Sequence, residues 1–395
     1  MSENKTKNKK SPRGKLKIII LSILLLLFVS AVAVVVYTVS FHEPDNQAGV
    51  DETKPFEWVT APTDESSEPE ENPAPEEYGK SFNFLLLGKD QTSENTDVIM
   101  VINFNVSSGG ISILQLPRDT YIELEKTPYK LNSLYHYFAL EANGNNEKDP
   151  DAYSLNKVAT VLEKNLCINI HYYAMVNLVG FKNIVDILGG VEVDIPANMD
   201  YEDDDQGLKI HLKKGKQVLD GKKAEQFVRF RSGYVQADIG RMDAQKIFMS
   251  ALIKTVKENF TVSNIVKIAN EVYKNVTTDV PLDDMVFFGK SLLSIDMNNI
   301  NFMSMPGAAA RSNGDTGLWY YIMNRKAMIP IIQQYFNIYN DVVINDAIFD
   351  ANRVFTSTKI YPHIDKLYNS EPTEEQGGSQ SAEDINGGSI HIPRV

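Results

Sequence analysis

Three arginines stand close together in the stretch "FVRFRSGYVQADIGRMDAQK": Arg229, Arg231 and Arg241. The chain that carries them has a formal net charge of -13. A guanidinium is a planar fork that grips carboxylate or phosphate through paired hydrogen bonds, so three of them set this close point to a bound anion. Ala224, Phe227 and Val228 share one helical face, which predicts a helix ending near Arg229. If the chain then extends, Arg229 and Arg231 point the same way. Asp238 is suited to cap a following helix, with Arg241 in its first turn and Gln245 one turn on, on the same face. Free N–H groups at a helix start favour phosphate. Three added guanidiniums suit a multiply charged ligand such as a pyrophosphate. The competing reading is a salt-bridged corner that uses Glu225 and Asp238.

Three further groups could do chemistry. In "LLLGKDQTSENTDVIM", Asp90 follows a strand that ends in a glycine turn, and Asp97 opens the next strand. Two carboxylates at one edge of neighbouring strands can converge on a hard cation such as Mg2+, which keeps waters for a phosphate ligand. Asp is equally at home in turns, and that is the alternative. In "LPRDTYIEL", the proline stops a strand, so Arg118 projects from a sheet edge with Asp119 beside it; a plain surface ion pair is the alternative. Lys130 and Asn132 in "YKLNSLYHY" carry a weaker signal, because the aromatic-rich helix after them reads as core. The acidic run Glu202 to Asp205 lacks the spacing of an EF-hand and reads as a solvated loop.

These side chains need elements to hold them. "FNFLLLG" and "DVIMVINFNV" are apolar runs bounded by Gly, Asp and Ser, and they read as buried strands; "GISILQLPRDT", after a "SSGG" turn, reads as a third. "DAYSLNKVATVLEKNL" has a helical stripe at Leu155, Val158, Ala159, Val161 and Leu162. "HYYAMVN" and "VEVDIP" read as strands, and "LVGFKNIVDILGG" as a helix closed by glycines. Later helical patterns ("VSNIVKIANEVY", "PLDDMVFFGKSLLSI", "MIPIIQQYF") alternate with the strand "NINFMSMPG". The expectation is an α/β fold, with helices packed around a central mixed sheet.

The 395 residues are 43% hydrophobic, enough for a sizeable core. The acidic balance argues against general nucleic-acid binding. One cysteine, Cys167, excludes an intramolecular disulfide. Six scattered histidines and that single cysteine give no zinc-type spacing. A basic tail, residues 1–17, precedes an uncharged apolar stretch, 18–41, long enough to cross a bilayer. Its apolar run is too long for an ordinary cleaved signal, so it reads as an anchor with the N-terminus in the cytoplasm and the rest outside. Residues 42–80 form an acidic, proline-rich linker. A core domain spans 81–260, an α/β extension packs on it over 261–366, and 367–395 reads as a disordered tail.

The order of motifs resembles the LytR-CpsA-Psr family of bacterial envelope proteins. A membrane span is followed by "LLLGKD", "TDVIMVINFN", "ISILQLPRDTYIEL", "YKLNSLY", "VNLVGFKNIVDILGGVEVDIP", "KKGKQVLDGKKAEQFVRFR" and "DIGRMDAQKIFMSALIK". The resemblance implies a Gram-positive-type cell-wall enzyme. It would transfer an anionic glycopolymer, such as a teichoic acid or capsule chain, from a polyprenyl-pyrophosphate carrier to peptidoglycan, forming a phosphodiester. It also implies an apolar pocket for the lipid. Asp90 and Asp97 then correspond to Mg2+ ligands, with Mn2+ able to substitute. Arg118, Arg229, Arg231, Arg241 and Gln245 correspond to the pyrophosphate-binding set. Asp119 and Asp238 are candidates for orienting arginines or accepting the hydroxyl proton. The family's arginine two positions before the second carboxylate is Asn95 here, a neutral amide. The rival readings are a polyprenyl-pyrophosphate hydrolase and a non-catalytic lipid-phosphate-binding regulator.

Overall fold

The structure is a computed structural model. It describes residues 44, 80–89, 94–124, 127–204, 207–230, 237–259, 265–313, 316–336, 367–372 and 380–381, with backbone alone at 237–243, 267, 313, 316 and 380–381. The chain divides into two units, Met1–Pro44 and Asp45–Val395, and every described helix and strand lies in the second. The expected span at 18–41, its basic tail and the linker up to residue 79 lie outside the described residues, apart from Pro44. Among the described residues no helix is long and apolar enough to cross a membrane.

The first strands are the apolar runs of the sequence: β1 (Ser81–Lys89), β2 (Thr96–Asn105) and β3 (Gly110–Gln115). A small hairpin, β4 (Tyr121–Leu124) and β5 (Thr127–Lys130), leads to α1 (Leu134–Asn145) and α2 (Pro150–Leu166). Asp149 caps α2 by accepting from Ala152 N–H, and proline opens the helix where its missing N–H is not needed. Next come β6 (Tyr172–Asn177), α3 (Leu178–Ile187), β7 (Val191–Ile195), β8 (Met199–Asp203), β9 (Leu208–Leu212) and β10 (Gly215–Leu219). They are followed by α4 (Gly221–Arg229), α5 (Ala237–Asn259), α6 (Ile265–Tyr273), β11 (Thr277–Thr278), α7 (Leu282–Leu293) and β12 (Ile300–Ser304). The hairpin β13 (Gly307–Asn313) and β14 (Thr316–Met323), then α8 (Arg325–Tyr335) and β15 (Gln380–Ser381), complete the described strands and α-helices.

The central sheet has the order β11-β6-β1-β2-β3-β12-β15. β1 runs parallel to β6 and β3 parallel to β12, while β2 runs antiparallel between β1 and β3. It is therefore a mixed sheet, as the alternation of strands and helices predicts. Period-two alternation sends side chains to both faces. Leu85, Leu87, Ile99, Val101 and Leu114 meet Tyr135, Phe138, Leu155, Leu162 and Met328 from α1, α2 and α8. Met100, Phe104, Ile111 and Ile113 meet Ala224, Phe227, Phe248 and Ala251 from α4 and α5. Burial on both faces explains why these strands read as continuous apolar runs. A fully buried side chain such as Leu85 contributes about 2 kcal/mol.

β7 behaves differently. Val191, Val193 and Ile195 are buried while Glu192 and Asp194 are exposed, and the strand pairs with β10 in a separate two-stranded sheet. Three expectations need correction. The acidic run at Glu202 is not a plain loop: Met199–Asp203 is strand β8, paired with β9, and Asp200 and Glu202 both contact His211. α5 begins at Ala237, so Asp238 sits inside the first turn and not at the capping place. The tail from 367 is ordered where it is described: Tyr368 is buried against the core of α8, Asn324 Nδ2 donates to Ser370 Oγ, and β15 pairs with β12.

Candidate active site

The register of the central sheet creates the site. Lys89 at the end of β1 lies beside Asn177 at the end of β6, and beside Thr96 at the start of β2. Gln115 at the end of β3 lies beside Ser304 at the end of β12. Four parallel strands thus present their carboxyl ends at one edge, the place where open α/β sheets receive ligands. Asp97 is the second residue of β2 at that edge. Asp90 directly follows Lys89 in sequence but lies outside the described residues. Lys89 Nζ is 2.6 Å from Glu94 Oε2, and this contact holds the Glu94 carboxyl below its usual range. Asn95, in place of the expected arginine, stands between them and Asp97, half-buried.

β3 ends at Gln115, and Pro117 turns the chain off the sheet. The turn is fixed through its backbone. Thr120 N–H donates to Pro117 O at 3.0 Å, Asn132 N–H to Arg118 O at 3.0 Å, and Tyr321 N–H to Asp119 O at 2.8 Å. Tyr321 itself is anchored, its hydroxyl donating to Met305 O at 2.9 Å. Burial pushes that hydroxyl up to about 12, so it stays a neutral donor.

On this frame the side chains form an alternating chain of charges. Arg118 Nη1 donates to Asp97 Oδ1 at 2.7 Å, Arg118 Nε lies 4.0 Å from Asp119 Oδ2, and Lys130 Nζ donates to Asp119 Oδ1 at 2.8 Å. All four side chains are 25–31% exposed, so they are partly desolvated yet reachable. Asp97, Arg118 and Asp119 are therefore brought together. Lys130, given little weight in the sequence, joins them because β5 pairs with β4: Lys130 lies opposite Tyr121, two residues beyond Asp119.

Gln245 lies on α5 and Arg229 at the end of α4, the helices that cover the other face of the sheet. Gln245 Oε1 accepts from Gln115 Nε2 at 2.6 Å, and both side chains are buried. Arg229 Nη1 donates to Glu225 Oε1 at 2.9 Å, and Glu225 Oε2 lies 3.1 Å from Lys182 Nζ. The salt-bridged corner is thus present for Arg229 through Glu225. The helix does end at Arg229, and Phe230 after it is extended. Arg231 lies outside the described residues, as do the side chains of Asp238 and Arg241, whose backbone forms the first turns of α5. Sequence reasoning gave Gln115 no role; only its place at the end of a buried strand could have singled it out. Among the described residues no cluster of three or more His, Cys, Asp or Glu side chains is assembled to hold a metal. Asp97 supplies one hard oxygen donor of the kind Mg2+ takes.

Comparison with known proteins adds the relatives of this arrangement. The LytR_cpsA_psr family model matches residues 48–336. The polyisoprenyl-teichoic acid–peptidoglycan teichoic acid transferase TagU of Bacillus mycoides (strain KBAB4) is 32% identical over 242 residues, covering 60% of this chain and 72% of that protein. The transferase TagV of Bacillus subtilis (strain 168) is 27% identical over 238 residues, covering 58% of this chain and 57% of its own. The crystal structure of B. subtilis TagV superposes with a TM-score of 0.53 at 24% identity, over 65% of this chain and 98% of that one. TagT bound to LIIa-WTA gives 0.51 at 21%, over 66% and 91%. At these identities the structural likeness is one of fold.

Proposed function

The chain belongs to the LytR_cpsA_psr family, and from that premise we propose that it is a phosphotransferase moving an anionic glycopolymer from a polyprenyl-pyrophosphate carrier to peptidoglycan. Relatives named teichoic acid transferases support the reaction class. The observation that carries the reading to this chain is the cluster Asp97–Arg118–Asp119–Lys130 at the carboxyl edge of the sheet. In the finer reading the protein is anchored by residues 18–41, its catalytic unit lies outside the cell membrane, and an apolar pocket receives the polyprenyl tail.

The reaction is a phosphoryl-type displacement. An acceptor hydroxyl oxygen on peptidoglycan bonds to the sugar-linked phosphorus, the bond to the bridging oxygen breaks, and polyprenyl phosphate leaves with that oxygen. Such transfers depend on positioning and charge neutralisation. Arg118 has the planar fork to hold a phosphoryl oxygen pair, and its backbone is clamped by Asn132 N–H. Arg229, Arg231, Arg241 and Gln245 would extend the grip along the pyrophosphate. Asp119, which holds Lys130 and lies near Arg118, and Asp238 would orient the arginines or take the hydroxyl proton. Mg2+ bound by Asp90 and Asp97 would supply neutralisation of the phosphate oxygens; Mn2+ would serve in its place.

The test is direct. A synthetic lipid-linked polymer precursor and peptidoglycan oligomers are incubated with the protein, with and without Mg2+, and both coupled product and polyprenyl phosphate are quantified. Release of polyprenyl phosphate without coupled product would instead make the protein a hydrolase. Binding of donor with neither product would make it a receptor.

A further inference from the structure

The hydrogen bond between Gln115 and Gln245 has a polarity, and that polarity matters for an anion. Gln115 is 3% and Gln245 7% exposed. Gln115 closes β3, and its side chain leaves the sheet on the face covered by α5, which carries Gln245. Gln115 Nε2 donates to Gln245 Oε1 at 2.6 Å. Gln115 Oε1 is buried and accepts from no group among the described residues. A carboxamide has an acceptor end and a donor end. Had Gln245 donated to Gln115, the acceptor of Gln115 would be matched and Gln245 would turn its oxygen outward. The pairing present is the reverse. It fixes the oxygen of Gln245 against the sheet, so that its Nε2 donors are what the amide offers to a ligand. A buried acceptor without a donor is costly, and an apolar side chain at 115 would avoid it. Its presence marks an amide used for more than packing.

We propose that Gln115 is a positioning residue that locks the amide of Gln245 with its N–H donors toward the pyrophosphate of the donor substrate. This rests on the reading that Gln245 contacts that pyrophosphate. Gln115 touches no reacting atom in this arrangement. It acts through Gln245, by removing the amide orientation that would set an oxygen against a phosphate oxygen.

The test uses the full chain in detergent and farnesyl pyrophosphate as the probe. Calorimetry gives affinity, and melting temperature is recorded for each variant. Gln245→Met and Gln115→Met are each expected to weaken binding by on the order of 10-fold or more. The double variant should be no more than about threefold worse than either, because both remove the same interaction. Gln115→Glu supplies the signature that packing alone would not produce. An ionised carboxylate only accepts, so Gln245 must donate inward and present its oxygen to the anion. When protonated, the introduced carboxyl donates to Gln245 Oε1. Affinity relative to the unaltered protein at the same pH should therefore recover as pH falls, and burial raises the carboxyl pKa into an accessible range. Losses that multiply in the double variant would overturn the inference. So would Gln115→Met or Gln115→Glu binding at full affinity at neutral pH while Gln245→Met is weakened. Full affinity in Gln245→Met would instead remove the assumed phosphate contact itself, a separate and visible failure.

Discussion

Replacing Arg118 with alanine separates binding from folding. The guanidinium is 25% exposed and its partner Asp97 31% exposed. A partly exposed ion pair of this kind stabilises a fold by about 0.5–1 kcal/mol. The turn does not depend on it, because Thr120, Asn132 and Tyr321 hold the backbone through their own N–H groups. Loss of the side chain lets water reach Asp97, so no carboxylate is stranded in an apolar interior. Arg118→Ala should then lower the melting temperature by about 1–3 °C. Transfer should suffer far more. A charge-assisted contact to phosphate contributes about 1.5–3 kcal/mol, which corresponds to a loss on the order of 10- to 150-fold. Arg118→Lys should recover only part, since lysine is a point charge without the fork. Calorimetric melting and release of polyprenyl phosphate from a synthetic donor measure the two effects. Wild-type turnover in Arg118→Ala refutes the reasoning. A collapse of the melting temperature by more than about 10 °C, far beyond what such an ion pair contributes, refutes it equally, because the arginine would then be structural.

Other perturbations have equally definite outcomes. Asn83 is buried in β1, donating from Nδ2 to Asn169 O and Phe336 O and accepting from Asn103 Nδ2, so Asn83→Ala should cost about 2–4 kcal/mol by denaturant titration without altering donor affinity. Burial raises the Glu163 carboxyl to about 7, although Ile170 N–H partly opposes this. The folded protein thus holds that proton where the unfolded chain has released it, and the associated stability, about 1–3 kcal/mol, is present below pH 4.5 and lost as pH rises to about 7. Glu163→Gln keeps the acceptor for Ile170 and should raise the melting temperature at pH 8 but not at pH 4. Cys167 is buried and its thiol is pushed up to about 12, so a thiol reagent should label the protein only after denaturation.

Much of the fold is legible because local periodicity reports burial. The continuous apolar runs of β1, β2 and β3 correspond to strands covered on both faces, and the stripe in α2 buries Leu155, Val158 and Leu162. The alternation in "VEVDIP" even marks β7 as a strand with one wet face, which is why it belongs to a smaller layer. Pairing partners are not local and were not legible. The sequence does not show that β12 lies against β3, some 190 residues away, or that β15 reaches β12. The same limit applies to the site. Arg118 and Asp119 are visible as a post-strand pair, and Asp97 as a strand-opening carboxylate. Lys130 was undervalued because its approach to Asp119 depends on the β4–β5 pairing. Gln115 looked like the end of a buried strand because its partner is 130 residues downstream.

On the proposed reading, the ion pairs of the site also explain how an acidic chain can keep cations ready for a phosphate ligand. Arg118 is held by Asp97, Lys130 by Asp119 and Arg229 by Glu225, so none of these charges waits unneutralised. A ligand that reaches Arg118 alone exchanges one carboxylate contact for one phosphate contact of similar strength, and the net gain is small. A gain accumulates only if the ligand spans several of these groups at once and the displaced carboxylates find a new partner. A pyrophosphate satisfies the first condition and a divalent cation on Asp97 the second. On the proposed reading, these paired charges therefore discriminate by valence and length. They leave inorganic phosphate weakly bound and reserve the grip for a pyrophosphate accompanied by its metal.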